Sequence, residues 1–157
     1  MIIRAAIDTD IAALFRLEQY VQDIHNEAHP DMFRATLDTG AAAKRFADIM
    51  TKNNNLVLVA EEAGEVIGYV WCQESQPFEG FHTKAEHTGY IAEISVAPEQ
   101  RHKGLGKALV ERAVAILKER GVTRIGVEFW SFNAQARSFF SSLGFVVQRE
   151  LALRRLP

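Results

Sequence analysis

The chain has 157 residues, 48% hydrophobic and 24% charged, the balance of one globular domain with a single well-buried core. Its formal net charge of −2 gives no general attraction to nucleic acid or to an anionic membrane, so neither is expected as a partner. The single cysteine, Cys72, excludes an intrachain disulfide, no run approaches membrane-spanning length, and Met1 to Ala6 lacks the apolar run of a signal peptide, so a cytoplasmic protein is expected.

Ile2 to Ala5 reads as a short strand. Asp8 or Thr9 is expected to cap a helix that carries Ile11, Leu14, Phe15, Leu17 and Val21 at helical spacing. His25 to Arg34 reads as irregular or partly helical, broken by Pro30. A second helix is predicted over about Thr39 to Met50, with Ala42, Phe46 and Met50 on one face. After a turn at Asn53 to Asn55, Leu56 to Glu61 and Val66 to Cys72 form a hairpin about Ala63-Gly64. A loop is expected from Pro77 to Lys84 and a strand from His87 to Val96. In that strand Tyr90, Ala92, Ile94 and Val96 alternate against Ile91, Glu93 and Ser95. The next helix runs from Gly104 to about Arg120, with Leu105, Leu109, Ala113, Ile116 and Leu117 on its apolar face and Gly121 as its terminator. A strand at Val122 to Phe129, a short helix from Asn133 to Leu143 and a final strand at Phe145 to Leu153 complete the order. The final run is a candidate edge strand, and edges invite pairing, so a homodimer is possible. Strand-helix alternation in the second half implies parallel pairing there and the hairpin antiparallel pairing, hence an α/β fold: a mixed, strongly twisted sheet with helices on both faces.

The densest chemical signal lies between the strand that ends at Val96 and the helix that opens at Gly104. Arg101, His102, Lys103, Gly104, Leu105, Gly106 and Lys107 read R-x-x-G-x-G-K. The first turn of a helix has N–H groups without intrahelical partners and a partial positive charge, and glycines leave room for a phosphate to approach them. A Walker A loop is excluded because Ala108 follows Gly106-Lys107, and a dinucleotide fingerprint is excluded because Leu109 occupies the third glycine position.

This segment resembles motif A of the GNAT superfamily, the acetyl-CoA-dependent N-acetyltransferases. Three other segments resemble the family in the same order: Ile3 to Ala6 followed by Asp10, Ala92 to Val96 followed by Pro98-Glu99, and Asn133 to Phe145, which matches its motif B, N-x-x-A-x-x-F-[YF]-x-x-x-G-F. The resemblance implies that backbone groups of Ile94, Ser95 and Val96 pair with the pantetheine arm of acetyl-CoA. It implies that the amides from His102 through Lys107 hold the pyrophosphate, with Arg101 nearby. Asn133 is expected to contact the cofactor, to cap its own helix, or to do both with different atoms.

Transfer to an amine needs a proton acceptor, and Glu93 and Glu128 are the candidates. Phe140 departs from the family pattern, which often has Tyr there to protonate the departing thiolate; a phenyl ring packs on the cofactor arm but donates no proton. Ser138, Ser141 or solvent is the alternative donor. His25, His29, Asp31 and Phe33 are expected to wall the acceptor pocket, together with Trp130 and with Phe78, Phe81 and His82. His25 and His29 have the i, i+4 spacing of a helical metal site, but Glu27 is out of register with H-E-x-x-H and Pro30 follows, so no metal is expected. The reading is an N-acetyltransferase acting on a primary amine of a small molecule or peptide, the alternative being a module that binds acyl-CoA without catalysis.

Overall fold

Leu56 to Ala60 and Val66 to Val70 are buried at every position, so these two runs must lie in the middle of a sheet covered on both faces. The computed structural model, which describes residues 1–154 apart from the side chain of Phe78, has them there. The strands β1 (Ile2–Ala5), β2 (Asn55–Glu62), β3 (Glu65–Gly80), β4 (Thr83–Val96) and β5 (Arg124–Val127) lie in that order across one sheet. Neighbours are antiparallel except β4 and β5, which run parallel. Helices α1 (Ile11–Ala28) and α2 (Thr39–Met50) pack Leu14, Leu17, Phe46 and Ile49 on one face against Val57, Val59 and Tyr69. Helices α3 (Leu105–Glu119) and α4 (Ala134–Ser142) pack Leu109, Leu117 and Phe140 on the other against Leu58, Val70 and Cys72. The expected mixed α/β sheet with helices on both faces is therefore present. Burial pushes the Cys72 thiol up to about 12, in keeping with a core role.

Four local readings need correction. The start of α1 is held by Asp10, not by Asp8 or Thr9. Its Oδ2 accepts from the Ile7 amide at 2.9 Å, and its two oxygens accept from Arg4 Nη1 and Nη2 at 2.7 and 2.9 Å. The expected loop at Pro77 to Lys84 is mostly strand, because β3 and β4 continue their pairing to Gly80 and Thr83. The expected strand Val122 to Phe129 is only four residues long. Finally, residues 145–154 form no strand among the described residues. Val146, Leu151 and Leu153 stay 74%, 84% and 75% exposed, so no face is buried that would fix a register. The edge-strand argument for a dimer loses its basis there.

The alternation expected along β4 also breaks. Trp71 pairs with Glu93, but Cys72 pairs with Ile91, so Ala92 is an extra residue, a β-bulge. Ile91 therefore joins Ile94 and Val96 on the α3 side. Glu93 and Ser95 face α1 and α2 instead, where they meet Arg45 and Leu17.

Asp10 is 5% exposed and its carboxyl is held below the usual range, first by the Arg4 hydrogen bond and against the opposing effect of burial. This contribution to stability is fully present above the ordinary carboxylate pKa of about 4 and is lost as pH falls through the lower folded value. Replacing Arg4 by Met leaves a buried carboxylate without its cation and should cost about 2–3 kcal/mol at neutral pH. Chemical denaturation from pH 3 to 7 measures this: the variant should show a shallower acid limb, and an unchanged limb would refute the role given to the pair.

Candidate active site

The site begins where β5 stops. Pairing between β4 and β5 ends at Ile91 and Val127, while β4 runs on for five more residues to Val96. A cleft of about 260 Å³ opens between the strands. Its floor includes Ile91, Ala92 and Ile94. Helix α1 adds Glu18 and His25, the segment after β5 adds Glu128 and Trp130, and α4 adds Asn133 and Phe140.

At the far end of β4, Arg101 to Gly104 form a turn into α3. His102 and Gly104 have φ of 61° and 83°, a left-handed path that glycine accommodates without strain. The first helical bond is from the Ala108 amide to the Gly104 carbonyl, so Leu105, Gly106 and Lys107 present amides with no intrahelical acceptor. No side chain caps them. A Cβ at Gly104 would meet nothing within 4 Å, which leaves an approach for an anion. Gly106 has a different reason: a Cβ there would come within 3.3 Å of the Phe139 ring, so this glycine makes room for α4 rather than for a ligand. The Leu105 side chain is buried in the core. Arg101 donates through Nε to the Val96 carbonyl at 3.1 Å and ties the turn to β4, while Lys103 bonds Gln100 and Lys107 pairs with Glu111. The open amides and the positive end of α3 fit a phosphate group.

On the other side of β4, Ser95 is 4% exposed and its hydroxyl donates to the Leu17 carbonyl at 2.6 Å, pinning α1 to the strand. The next residue on α1 is Glu18. Its Oε1 accepts from Arg45 Nη1 at 2.6 Å, and the second arm of the same guanidinium reaches Glu93 Oε1. Tyr69, fully buried, donates its hydroxyl to Glu93 Oε2 at 3.2 Å. Burial and then the charge of Glu93 push the Tyr69 hydroxyl well above its usual range, so it remains a donor. Burial, reinforced by Glu93, raises Glu18 to about 7. Its Oε2 is buried without a hydrogen-bond partner. Glu93 thus lines the cleft, bound on both oxygens. Glu128 also lines the cleft, yet its side chain is 71% exposed and pairs with Arg149 at 3.2 Å.

Sequence reasoning missed Glu18 and Arg45. The available signal was spacing: Glu18 follows Leu14 by four residues and precedes Val21 by three, within the apolar stripe of α1.

Four of the residues expected to wall the acceptor pocket lie near one another. His25 stacks on Phe33 at 5.0 Å, Phe33 meets Trp130 edge-on at 5.2 Å, and His29 leans on Phe132 at 5.1 Å. His25 and Trp130 reach the cleft, with His29 and Phe33 among the rings behind them. Burial lowers His25 below its usual range and favours the neutral ring. Phe81 is 98% exposed and contacts His82 away from this wall, and the Phe78 side chain lies outside the described residues. Asn133 caps α4 through Oδ1, which accepts from the Ala136 amide at 2.9 Å, so its Nδ2 is the group left for a ligand. Phe140 is 3% exposed and packed among Phe129, Phe139 and Phe145, with one side on the cleft. Ser138 and Ser141 are exposed and do not line the cleft.

Residues 19–145 match the Acetyltransferase (GNAT) family. The chain belongs to that family. Among curated GNAT relatives, it is 30% identical over 105 residues to an L-methionine sulfoximine/L-methionine sulfone acetyltransferase of Pseudomonas paraeruginosa, covering 66% of this chain and 58% of that one. It is 31% identical over 117 residues to a mycothiol acetyltransferase of Amycolatopsis mediterranei, covering 74% of this chain and 38% of that one. The chain thus spans about two fifths to three fifths of these relatives. A Bacillus halodurans protein solved as a tetramutant superposes with a TM-score of 0.91 at 27% identity, covering 99% of this chain and all of that one. An aminoglycoside 6'-N-acetyltransferase of Acinetobacter haemolyticus shares the fold, with a TM-score of 0.78 at 15% identity over all of this chain and 99% of that one.

The geometry predicts that Ser95→Ala, which removes the bond between β4 and α1, should cost about 1 kcal/mol. Urea denaturation should show a lower midpoint with an unchanged slope. An unchanged midpoint would remove this bond from the account of how Glu18 is placed.

Proposed function

We propose that this GNAT-family chain transfers an acetyl group from acetyl-CoA directly to a primary amine of a small molecule or peptide. The observation that carries the reading is β4 running past the end of β5, with an uncapped helix start just beyond it. An extended cofactor arm fits along the open edge at Ile94, Ser95 and Val96, and a pyrophosphate fits the amides from His102 through Lys107. Asn133 offers Nδ2 to the arm, and Phe140 gives it an apolar wall. The names of the curated relatives, a mycothiol acetyltransferase and an L-methionine sulfoximine/L-methionine sulfone acetyltransferase, support acyl transfer as the reaction class.

Acetyl-CoA supplies an activated thioester. The protein holds it and takes a proton from the amine. The carboxylate cluster around Glu93 serves that last task better than Glu128, whose exposed ion pair with Arg149 lies at the rim. Phe140 donates no proton, and a thiol pKa of about 8.5 lets the departing sulfur leave as thiolate and collect its proton from solvent.

Acetyl-CoA should raise the melting temperature by linkage, and Gly104→Asp should abolish the shift by placing a carboxylate at the phosphate site. Calorimetry that detects no acetyl-CoA binding to the wild-type chain would overturn the function. In a thiol-release assay Glu93→Gln should lower kcat/KM by about 10²-fold, while Glu128→Gln stays within about threefold of wild type. The reverse order would transfer the role to Glu128.

A further inference from the structure

The carboxylate cluster has an unbalanced charge. Glu18 and Glu93 carry two negative charges between them, and Arg45, held by both, carries one positive charge. Arg45 is further fixed by packing over the Phe46 and Trp71 rings, at 5.1 and 5.2 Å from their centroids, so it cannot turn to serve one carboxylate alone without losing those contacts. Tyr69 adds a neutral hydroxyl to Glu93. Both Glu93 oxygens therefore have donors, whereas Glu18 Oε2 has none. One uncompensated negative charge in a half-enclosed cleft favours an added cation. Without one, burial and then the neighbouring Glu93 charge favour a proton on Glu18 and raise it to about 7.

Resting on the acetyl-transfer reading, we infer that the Glu18 carboxylate, on the cleft wall, receives the acceptor's ammonium and takes its first proton, and that the acceptor is a cationic amine with no carboxylate beside the amine. The second clause follows from the lining: Glu18, Glu93 and Glu128 are its charged members among the described residues, with no lysine or arginine among them. An α-carboxylate next to the amine would face Glu18 and Glu93, whose one guanidinium, Arg45, is already bound to both. His25, the other titratable neighbour on α1, is driven toward its neutral form and supplies no countercharge. The aromatic face of Trp130 suits the apolar body or the charge of such an amine.

The steps balance. The ammonium passes one proton to the Glu18 carboxylate and becomes a neutral amine. Its nitrogen lone pair attacks the thioester carbonyl, the C–N bond forms, the C–S bond breaks, and the thiolate leaves. The second nitrogen proton goes to solvent or the thiolate, and Glu18 returns its own to solvent.

The test uses two matched pairs of acceptors, phenethylamine with phenylalanine and putrescine with ornithine, in a thiol-release assay from pH 5.5 to 9. The decarboxylated member of each pair should be preferred at least tenfold in kcat/KM. Glu18→Gln should lose about 10²-fold in kcat/KM for the preferred members and lose the acid limb near pH 7. Its acetyl-CoA binding and melting temperature, measured alongside, should stay close to wild type. Carboxyl-carbon NMR of the wild-type protein should show the Glu18 midpoint falling when phenethylamine is added, because ammonium and proton compete for one carboxylate. Preference for the amino acids, a Glu18→Gln profile like wild type, an NMR midpoint indifferent to amine, or acetyl-CoA binding without transfer to any of the four acceptors would each overturn the inference. Failure of acetyl-CoA to bind at all would instead strike the acetyltransferase reading on which it rests.

Discussion

The rest of the structure depends on the extra residue at Ala92. A strand with strict alternation would put Ile91, Glu93 and Ser95 on one side of the sheet. The bulge sends Ile91 into the α3 core and leaves Glu93 and Ser95 facing α1 and α2. A single inserted residue thus lets β4 serve an apolar layer at one end and a polar cluster at the other. It also falls beside the last pair that β4 makes with β5, so the ladder changes its geometry where the cleft opens.

From the bulge the placement of the acids follows by short covalent and hydrogen-bonded steps. Ser95 lies two residues beyond Glu93 and bonds Leu17, and Leu17 precedes Glu18. Two carboxylates from distant parts of the chain are thereby brought onto one guanidinium from a third element, α2. Tyr69 from β3 closes the group from below. Four elements contribute one charged side chain or one hydroxyl each, so the balance of charge in the cleft is a property of the packed layers and of no local segment.

That origin explains what was legible beforehand. The helix from Thr39 to Met50 was readable to its ends because its apolar spacing is local and regular, and Asp38 caps it by accepting from the Ala41 amide. The glycine turn was readable because a strand end, two glycines and an apolar helix face are contiguous in sequence. The bulge was not, since β4 alternates plausibly on paper and only the register against β3 reveals the extra residue. Continuation of the β3–β4 hairpin past Cys72 was hidden for a similar reason: Gln73 to Gly80 is mostly polar, and cross-strand backbone pairing extends it without a buried face. Glu18 escaped because a glutamate on a helix is normally solvated, and its 14% exposed side chain owes its burial to residues from α2 and β4. Glu93 was found because it lies on the strand that leads into the glycine turn, on the face opposite Ile94, while its partners Arg45 and Tyr69 lie 48 and 24 residues away.

The contact between Gly106 and the Phe139 ring joins the first turn of α3 to the middle of α4. The two positions share one volume. A Cβ added at 106 would require the Phe139 ring to give by a few tenths of an ångström, and a smaller residue at 139 would open a gap under the same turn. Residues 33 positions apart in the chain thus share one packing space, so the size tolerated at either depends on how far the Phe139 ring can shift.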